Sequence, residues 1–155
     1  MEWARPRASN RGDTHDQFRE AIRRFAARRI VPSIGQWSRD GIAPREFWRA
    51  CGEAGLLCPQ IDARWGGAGL DFSYNAVIDE EMGYLSMPPG LLVHSDIVAQ
   101  YIADYGNDQQ RARWLPGMAS GDIIGAIAMT EPQAGSDLQG IRATARREGG
   151  VWVLN

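Results

Sequence analysis

The sequence predicts a mainly α-helical domain followed by the first strands of an incomplete β domain. Apolar residues recur at helical spacing in successive segments from Thr14 to Tyr105. Strict alternation comes late, where Ile141, Ala143 and Ala145 are interleaved with Arg142, Thr144 and Arg146. Helices first and strands last is the order expected of separate helical and sheet layers, not of alternating βαβ units.

The elements follow in order. Met1 to Asp13 is polar, holds Pro6, Ser9, Asn10 and Gly12, and is expected to form a loose arm. Thr14 with Gln17 three residues on predicts a capping box, and Phe18, Ala21, Ile22, Phe25 and Ala26 supply the apolar stripe of the helix behind it. Arg19, Arg23, Arg24, Arg28 and Arg29 occupy its other face, which is expected to be solvated. Pro32 interrupts this helix, and Ile34 to Trp37 adds a turn before Arg39-Asp40-Gly41 breaks the chain. A second helix starts around Pro44, carries Phe47, Trp48, Cys51 and Ala54 inward, and stops at Gly55. Arg64-Trp65-Gly66-Gly67-Ala68-Gly69 has neither the lysine nor the spacing of a phosphate loop, so a structural turn is expected.

Asp71 or Ser73 caps a third helix with the stripe Tyr74, Val77, Ile78, Met82 and Leu85. Its acidic run Asp79-Glu80-Glu81 cannot converge on one substrate, because consecutive helical positions point about 100° apart, and is expected to face solvent or cap contacts. Pro88-Pro89-Gly90 ends that element, and Leu91 to Tyr105 forms a fourth helix. His94 on this helix is expected to be a hydrogen-bonded structural residue. Asn107 caps a short helix, Asp108 to Leu115, ended by Pro116-Gly117. The apolar run Ile123 to Met129 reads as a strand, and Glu148-Gly149-Gly150 turns a hairpin back through Val151 to Leu154.

Composition narrows the functional classes. With 155 residues and 44% apolar content the chain can bury a core, and a formal charge of −2 gives no global field for nucleic acid or a membrane surface. Small-molecule or protein partners are expected instead. Cys51 and Cys58 suggest neither a zinc set nor a disulfide framework, so no metal site is expected and a reducing compartment is. No apolar run reaches the roughly 18 to 20 residues that span a bilayer, and Met1 to Asp13 lacks the apolar core of a signal peptide. The expected location is cytoplasmic.

Chemistry concentrates in Ala128-Met129-Thr130-Glu131-Pro132-Gln133-Ala134-Gly135-Ser136-Asp137. An apolar run delivers a hydroxyl and a carboxylate, then turns through a glycine whose neighbouring N–H groups suit oxyanions. The same residues would also serve as a loop between two strands, with Ser136 and Asp137 bonding local backbone. Thr-Glu-Pro-x-x-Gly-Ser-Asp followed by Leu138-Gln139-Gly140 resembles the first signature of the flavin-dependent acyl-CoA dehydrogenases. Trp65-Gly66-Gly67, Tyr105-Gly106-Asn107 with Gln109-Gln110, and Trp114-Leu115-Pro116 also match that family's pattern, so the resemblance covers Thr14 to Asn155.

The resemblance implies a division into an arm (1–13), a helical N-terminal domain (14–122) and the start of a flavin-binding β domain (123–155). It implies FAD as cofactor, with Met129 and Thr130 along the flavin and Ser136 reaching both the FAD pyrophosphate and the bound thioester. It implies an acyl-CoA substrate oxidised to a 2-enoyl-CoA, an electron-transfer flavoprotein as acceptor, and a complementary or homo-oligomeric subunit. The family's second flavin-binding segment and its catalytic glutamate lie beyond Asn155 in the family pattern. No catalytic residue is therefore assigned here, Glu131 is expected to have a structural role, and this chain alone is expected to be inactive. The competing expectations are a helical interaction module that retains the fold without catalysis, and an oxidase of the same fold.

Overall fold

In the computed structural model, residues 12–86 and 90–155 are described, so most of the expected arm and the Pro88-Pro89 break lie outside the described residues. The helical layer consists of α1 (Asp13–Arg29), α2 (Ile34–Asp40), α3 (Arg45–Glu53), α4 (Phe72–Tyr84), α5 (Gly90–Leu92), α6 (Ala99–Tyr105) and α7 (Asp108–Ser120). Val93–Val98 is π-helical, and the right-handed helical angles at Leu92, Val98 and Ala99 join α5 and α6 through it without a break. One hairpin, β1 (Ala145–Glu148) antiparallel to β2 (Val151–Leu154), closes the described chain.

The core is where the apolar stripes meet. Ile22, Ala26 and Ile30 on and just after α1, Phe47, Trp48 and Cys51 of α3, Val77, Ile78 and Met82 of α4, and Leu115 and Met118 of α7 are all buried in one cluster. Helix α1 lies against α4, while α3 and α6 lie against α7. Trp65-Gly66-Gly67 is the expected structural turn. A β-carbon on Gly67 would fall 2.0 Å from the Ile61 carbonyl oxygen, so only glycine admits that approach.

Several local expectations are corrected. Helix α1 begins at Asp13 with Gly12 as its N-cap and no side-chain cap, so Thr14 already lies inside the helix and its box with Gln17 does not form. The hydroxyl of Thr14 instead accepts from the Tyr74 hydroxyl at 3.4 Å. Ala54, placed on the α3 stripe, is exposed beyond the helix end. Pro116 does not end α7; the helix runs on to Ser120, since burial of Leu115, Met118 and Ala119 outweighs the one backbone hydrogen bond that proline forfeits.

The charged faces of α1 and α4 also differ from expectation. Glu81 is buried, and its carboxylate accepts from Arg19 Nη1 at 2.6 Å and from Arg23 Nε and Nη2 at 3.0 Å each. Arg19 Nη2 donates to Glu80 at 2.7 Å. Two arginines of the supposed solvated face thus join two members of the acidic run across the α1–α4 contact.

Ile123 to Met129 is not a strand. The segment pairs with no strand among the described residues, and regular pairing starts only at Ala145. The hairpin itself is as expected: Glu148 faces Val151, and Gly149 and Gly150, at φ 56° and 88°, make its two-residue turn. Among the described residues no helix is long and apolar enough to cross a membrane.

Candidate functional site: a pinned, open segment beside an apolar cleft

The segment that carries the signature is fixed first at the end of α7. Gly121 closes that helix at φ 81°, where a β-carbon would stand 2.3 Å from the Trp48 carbonyl oxygen. Asp122 is then held from α3, its carboxylate by Arg49 Nε at 2.8 Å and its carbonyl by Arg45 Nη1 at 2.9 Å. Both Arg49 and the Ser120 hydroxyl hold the Asp122 carboxyl below the usual carboxylate range. The Ile123 N–H returns to the Gly117 carbonyl at 2.9 Å, so the chain leaves α7 in one direction.

His94 makes the next connection. Its Nδ1 accepts from the Gly125 N–H at 2.9 Å, which puts the ring hydrogen on Nε2, facing the Met118 carbonyl at 3.0 Å. The side chain is fully buried, and burial pulls its pKa below the ordinary value, so the neutral imidazole is the folded form. This is the structural histidine expected from the sequence, with a role the sequence did not reveal: it ties the π-helical segment to the start of the signature. Cys58 Sγ lies 3.7 Å from Nε2, yet burial pushes that thiol up to about 12, so the pair is not a nucleophile and its base.

From Ala126 to Thr130 every residue is exposed, and among the described residues none of these backbone amides makes a hydrogen bond. The turn beyond is closed by hydrogen bonds. Glu131 and Ala134 exchange backbone hydrogen bonds at 2.9 and 3.1 Å, and the Glu131 carboxylate accepts from the amides of Arg142 and Ala143 at 2.9 Å each. Glu131 therefore has the expected structural role, clamping the turn to the chain entering β1. Asp137 caps the short 3₁₀ turn Leu138–Gly140 through the Gln139 N–H. Met129, Thr130 and Ser136 all stand exposed, at the two ends of this clamped turn.

A cleft of about 570 Å³ opens between the α2–α3 connection and α5. Trp37, Ile42, Phe47, Trp48, Leu91 and Ile124 give it an apolar lining, and Ile124 joins it directly to the signature segment. Its size and lining are those of a small-molecule pocket. The sequence did not announce this cleft, because its walls come from elements far apart in the chain.

The acyl-CoA dehydrogenase N-terminal domain model matches residues 12–122. This chain belongs to that family. The long-chain specific acyl-CoA dehydrogenase of Sus scrofa mitochondria is 46% identical over 142 residues, covering 91% of this chain and 33% of the relative. An acyl-CoA dehydrogenase crystal structure from Geobacillus kaustophilus superposes with a TM-score of 0.90 at 44% identity, over 96% of this chain and 39% of that one. A glutaryl-CoA dehydrogenase from Mycobacterium smegmatis, solved in complex with FADH2, superposes with a TM-score of 0.85 at 28% identity, over 94% of this chain and 38% of that one. The chain thus spans about a third of the length of the curated relatives it matches.

Proposed function

We propose that this acyl-CoA dehydrogenase N-terminal portion contributes one wall of an FAD site and its adjoining acyl cleft, in a protein that oxidises an acyl-CoA to a 2-enoyl-CoA. The observation that carries the reading is the row of exposed, unbonded amides from Ala126 to Thr130, pinned at one end by His94 and at the other by the Glu131 clamp. Fixed N–H groups and the Thr130 hydroxyl suit the electron-rich edge of a flavin, whose reduction places negative charge there. The FADH2 complex of the glutaryl-CoA dehydrogenase neighbour supports FAD as the cofactor.

On this reading Met129 and Thr130 hold the flavin, and Ser136 reaches the FAD pyrophosphate and the thioester. Bound FAD would supply the hydride acceptor. The chain's own residues bind and orient: the amides and hydroxyls fix the cofactor, and the apolar cleft takes the acyl chain and excludes water from it. No residue of this chain is assigned as the base. Glu131 is committed to two backbone amides and Glu81 to two arginines. The reading takes the helical domain from Asp13, where α1 begins, to residue 122, and 123–155 as the start of the flavin-binding domain. It also keeps an electron-transfer flavoprotein as acceptor, a complementary or identical subunit, and a cytoplasmic setting.

The test is FAD binding by the longest natural form of the protein, followed by quenching of flavin fluorescence, with Thr130→Ala and Ser136→Ala alongside. Each variant is expected to weaken FAD about 10-fold, the scale of one lost polar contact, without changing the unfolding midpoint. A protein that binds its partner subunit but no flavin would replace this reading with the interaction module.

A further inference from the structure

Leu91, which lines the cleft, also lines a small cavity with Asn75, Asp79, Ser95, Asp96 and apolar neighbours. Its polar groups do not balance. Asn75 and Asp79 stand one turn apart on α4, and Asp96 faces them from the π-helical segment. The Asn75 amide nitrogen donates to Asp96 Oδ1 at 2.5 Å, while the Asn75 amide oxygen, on a side chain 1% exposed, has no hydrogen-bond partner. Among the described residues neither Asp79 nor Asp96 makes an ion pair; Arg19 and Arg23 of α1 are taken by Glu80 and Glu81. Asp96 has that one donor, and among the described residues no hydrogen bond reaches the half-buried Asp79 carboxylate or the Asn75 amide oxygen, so the cluster is short of a donor.

We propose that Asp79 and Asp96 share a single proton, and that this proton latches α4 to the π-helical segment behind Leu91, the residue common to this cavity and the apolar cleft. A protonated Asp79 supplies the missing O–H, which Asp96 or the Asn75 oxygen accepts. Burial and then the neighbouring Asp96 carboxylate push the Asp79 carboxyl up to about 7. A hard divalent cation is the poorer neutraliser: it wants about six to eight oxygens or several retained waters. The cavity offers two carboxylates, one amide oxygen and the Ser95 hydroxyl, of which Asp96 Oδ1 and Ser95 Oγ already accept N–H groups, and it has no room for a water.

The other titratable and charged groups nearby leave the pair to itself. On α4, Glu80 and Glu81 turn to Arg19 and Arg23 of α1. On the π-helical segment, His94 turns to Gly125 and Met118. The connector before the 3₁₀ turn Ala63–Trp65 brings the Cys58 thiol, itself raised in part by the charge of Asp96, with its N–H bonded to Ser95 Oγ at 3.0 Å.

The sign of the pH dependence follows. Asp79 is held above its ordinary 3.8, so its contribution is full below that pH, declines as the unfolded chain ionises first, and is gone above about 7. One proton bounds the effect at about tenfold in the folding constant per pH unit across that window. Above it two adjacent carboxylates repel and the latch opens. The inference does not depend on the flavin reading, since neither the pair nor its test involves a cofactor.

The test is a carboxyl-carbon NMR titration of the whole chain in EDTA, with Asp79→Asn as the isosteric mimic of the acid. Hydrogen exchange of α4 and Val93–Val98 is followed at pH 6 and pH 9 and corrected for intrinsic rates. The expected result is one aspartate titrating near neutrality and lost in Asp79→Asn, with protection that falls about tenfold at high pH in the wild type and stays level in the variant. Titration of both aspartates below about pH 5, or protection unchanged in the wild type, would overturn the latch. So would stoichiometric calcium uptake that Asp79→Asn abolishes, which would make the pair a cation site.

Discussion

Replacing Glu81 with alanine tests what holds α1 to α4. The wild-type carboxylate, 3% exposed, accepts three N–H groups from Arg19 and Arg23, whose side chains are 12% and 35% exposed. A charge-assisted hydrogen bond to a buried group contributes about 1.5–3 kcal/mol net. Arg19 retains Glu80, which recovers part of its share, and the exposure of Arg23 reduces its pair toward the surface value of below about 1 kcal/mol. The sum is a loss of about 3 kcal/mol, at the low end of what breaking a buried ion pair costs. In urea this moves the midpoint down by about 1–2 M. Arg23→Ala should cost no more than about 1 kcal/mol, and the Arg19/Glu81 double-mutant cycle should return most of the coupling. A loss under about 1 kcal/mol for Glu81→Ala would show that the network merely breaks even against its desolvation.

Three further outcomes are expected. Gly121→Ala combines a left-handed backbone with a clash on the Trp48 carbonyl, and should lower the unfolding free energy by about 2 kcal/mol or more; a change within about 0.5 kcal/mol in urea titration refutes the packing described for that turn. His94→Leu leaves the Gly125 N–H without its partner, while the Met118 carbonyl keeps the Gly121 N–H at 3.2 Å, and should cost about 1–3 kcal/mol. The wild-type His94 pKa is depressed by burial, so the unfolded chain binds the proton first and this contribution is lost as pH falls below about 6.5; the difference between wild type and His94→Leu isolates it from Asp79, which acts with the opposite sign. Thr130→Ala and Ser136→Ala should weaken FAD about 10-fold at constant stability, read by flavin fluorescence.

The helical half was legible in the sequence because burial there follows local period. The stripes of α1, α3 and α4 at Ile22, Ala26, Phe47, Trp48, Cys51, Val77, Ile78 and Met82 all reach the core, and Asn107 with Gln110 forms a full capping box. The misses share a cause: a distant element settled the matter. Glu81 looked solvated until α1 brought Arg19 and Arg23 across, and Pro116 looked like a stop until α3 covered Leu115 and Met118. Asp79 and Asp96 are 17 residues apart on two elements, so no window of sequence shows them as a pair.

The signature was legible as a motif and misread as a strand. A strand is defined by its partner, and the composition of a segment cannot say whether one is present; Ile123 to Met129 has the composition of a strand and, among the described residues, none of its ladder. Among the described residues the amides of Ala126 to Thr130 are open. Had Ala126 to Thr130 paired, their amides would be spent on backbone carbonyls, whereas here His94 fixes the entry at Gly125 and the Glu131 clamp fixes the exit. Donors held in place before a ligand arrives require little further ordering when it binds. On the proposed reading, the buried histidine and the clamping glutamate need touch no ligand themselves and act by holding the two ends of the segment that carries Met129 and Thr130 and leads to Ser136.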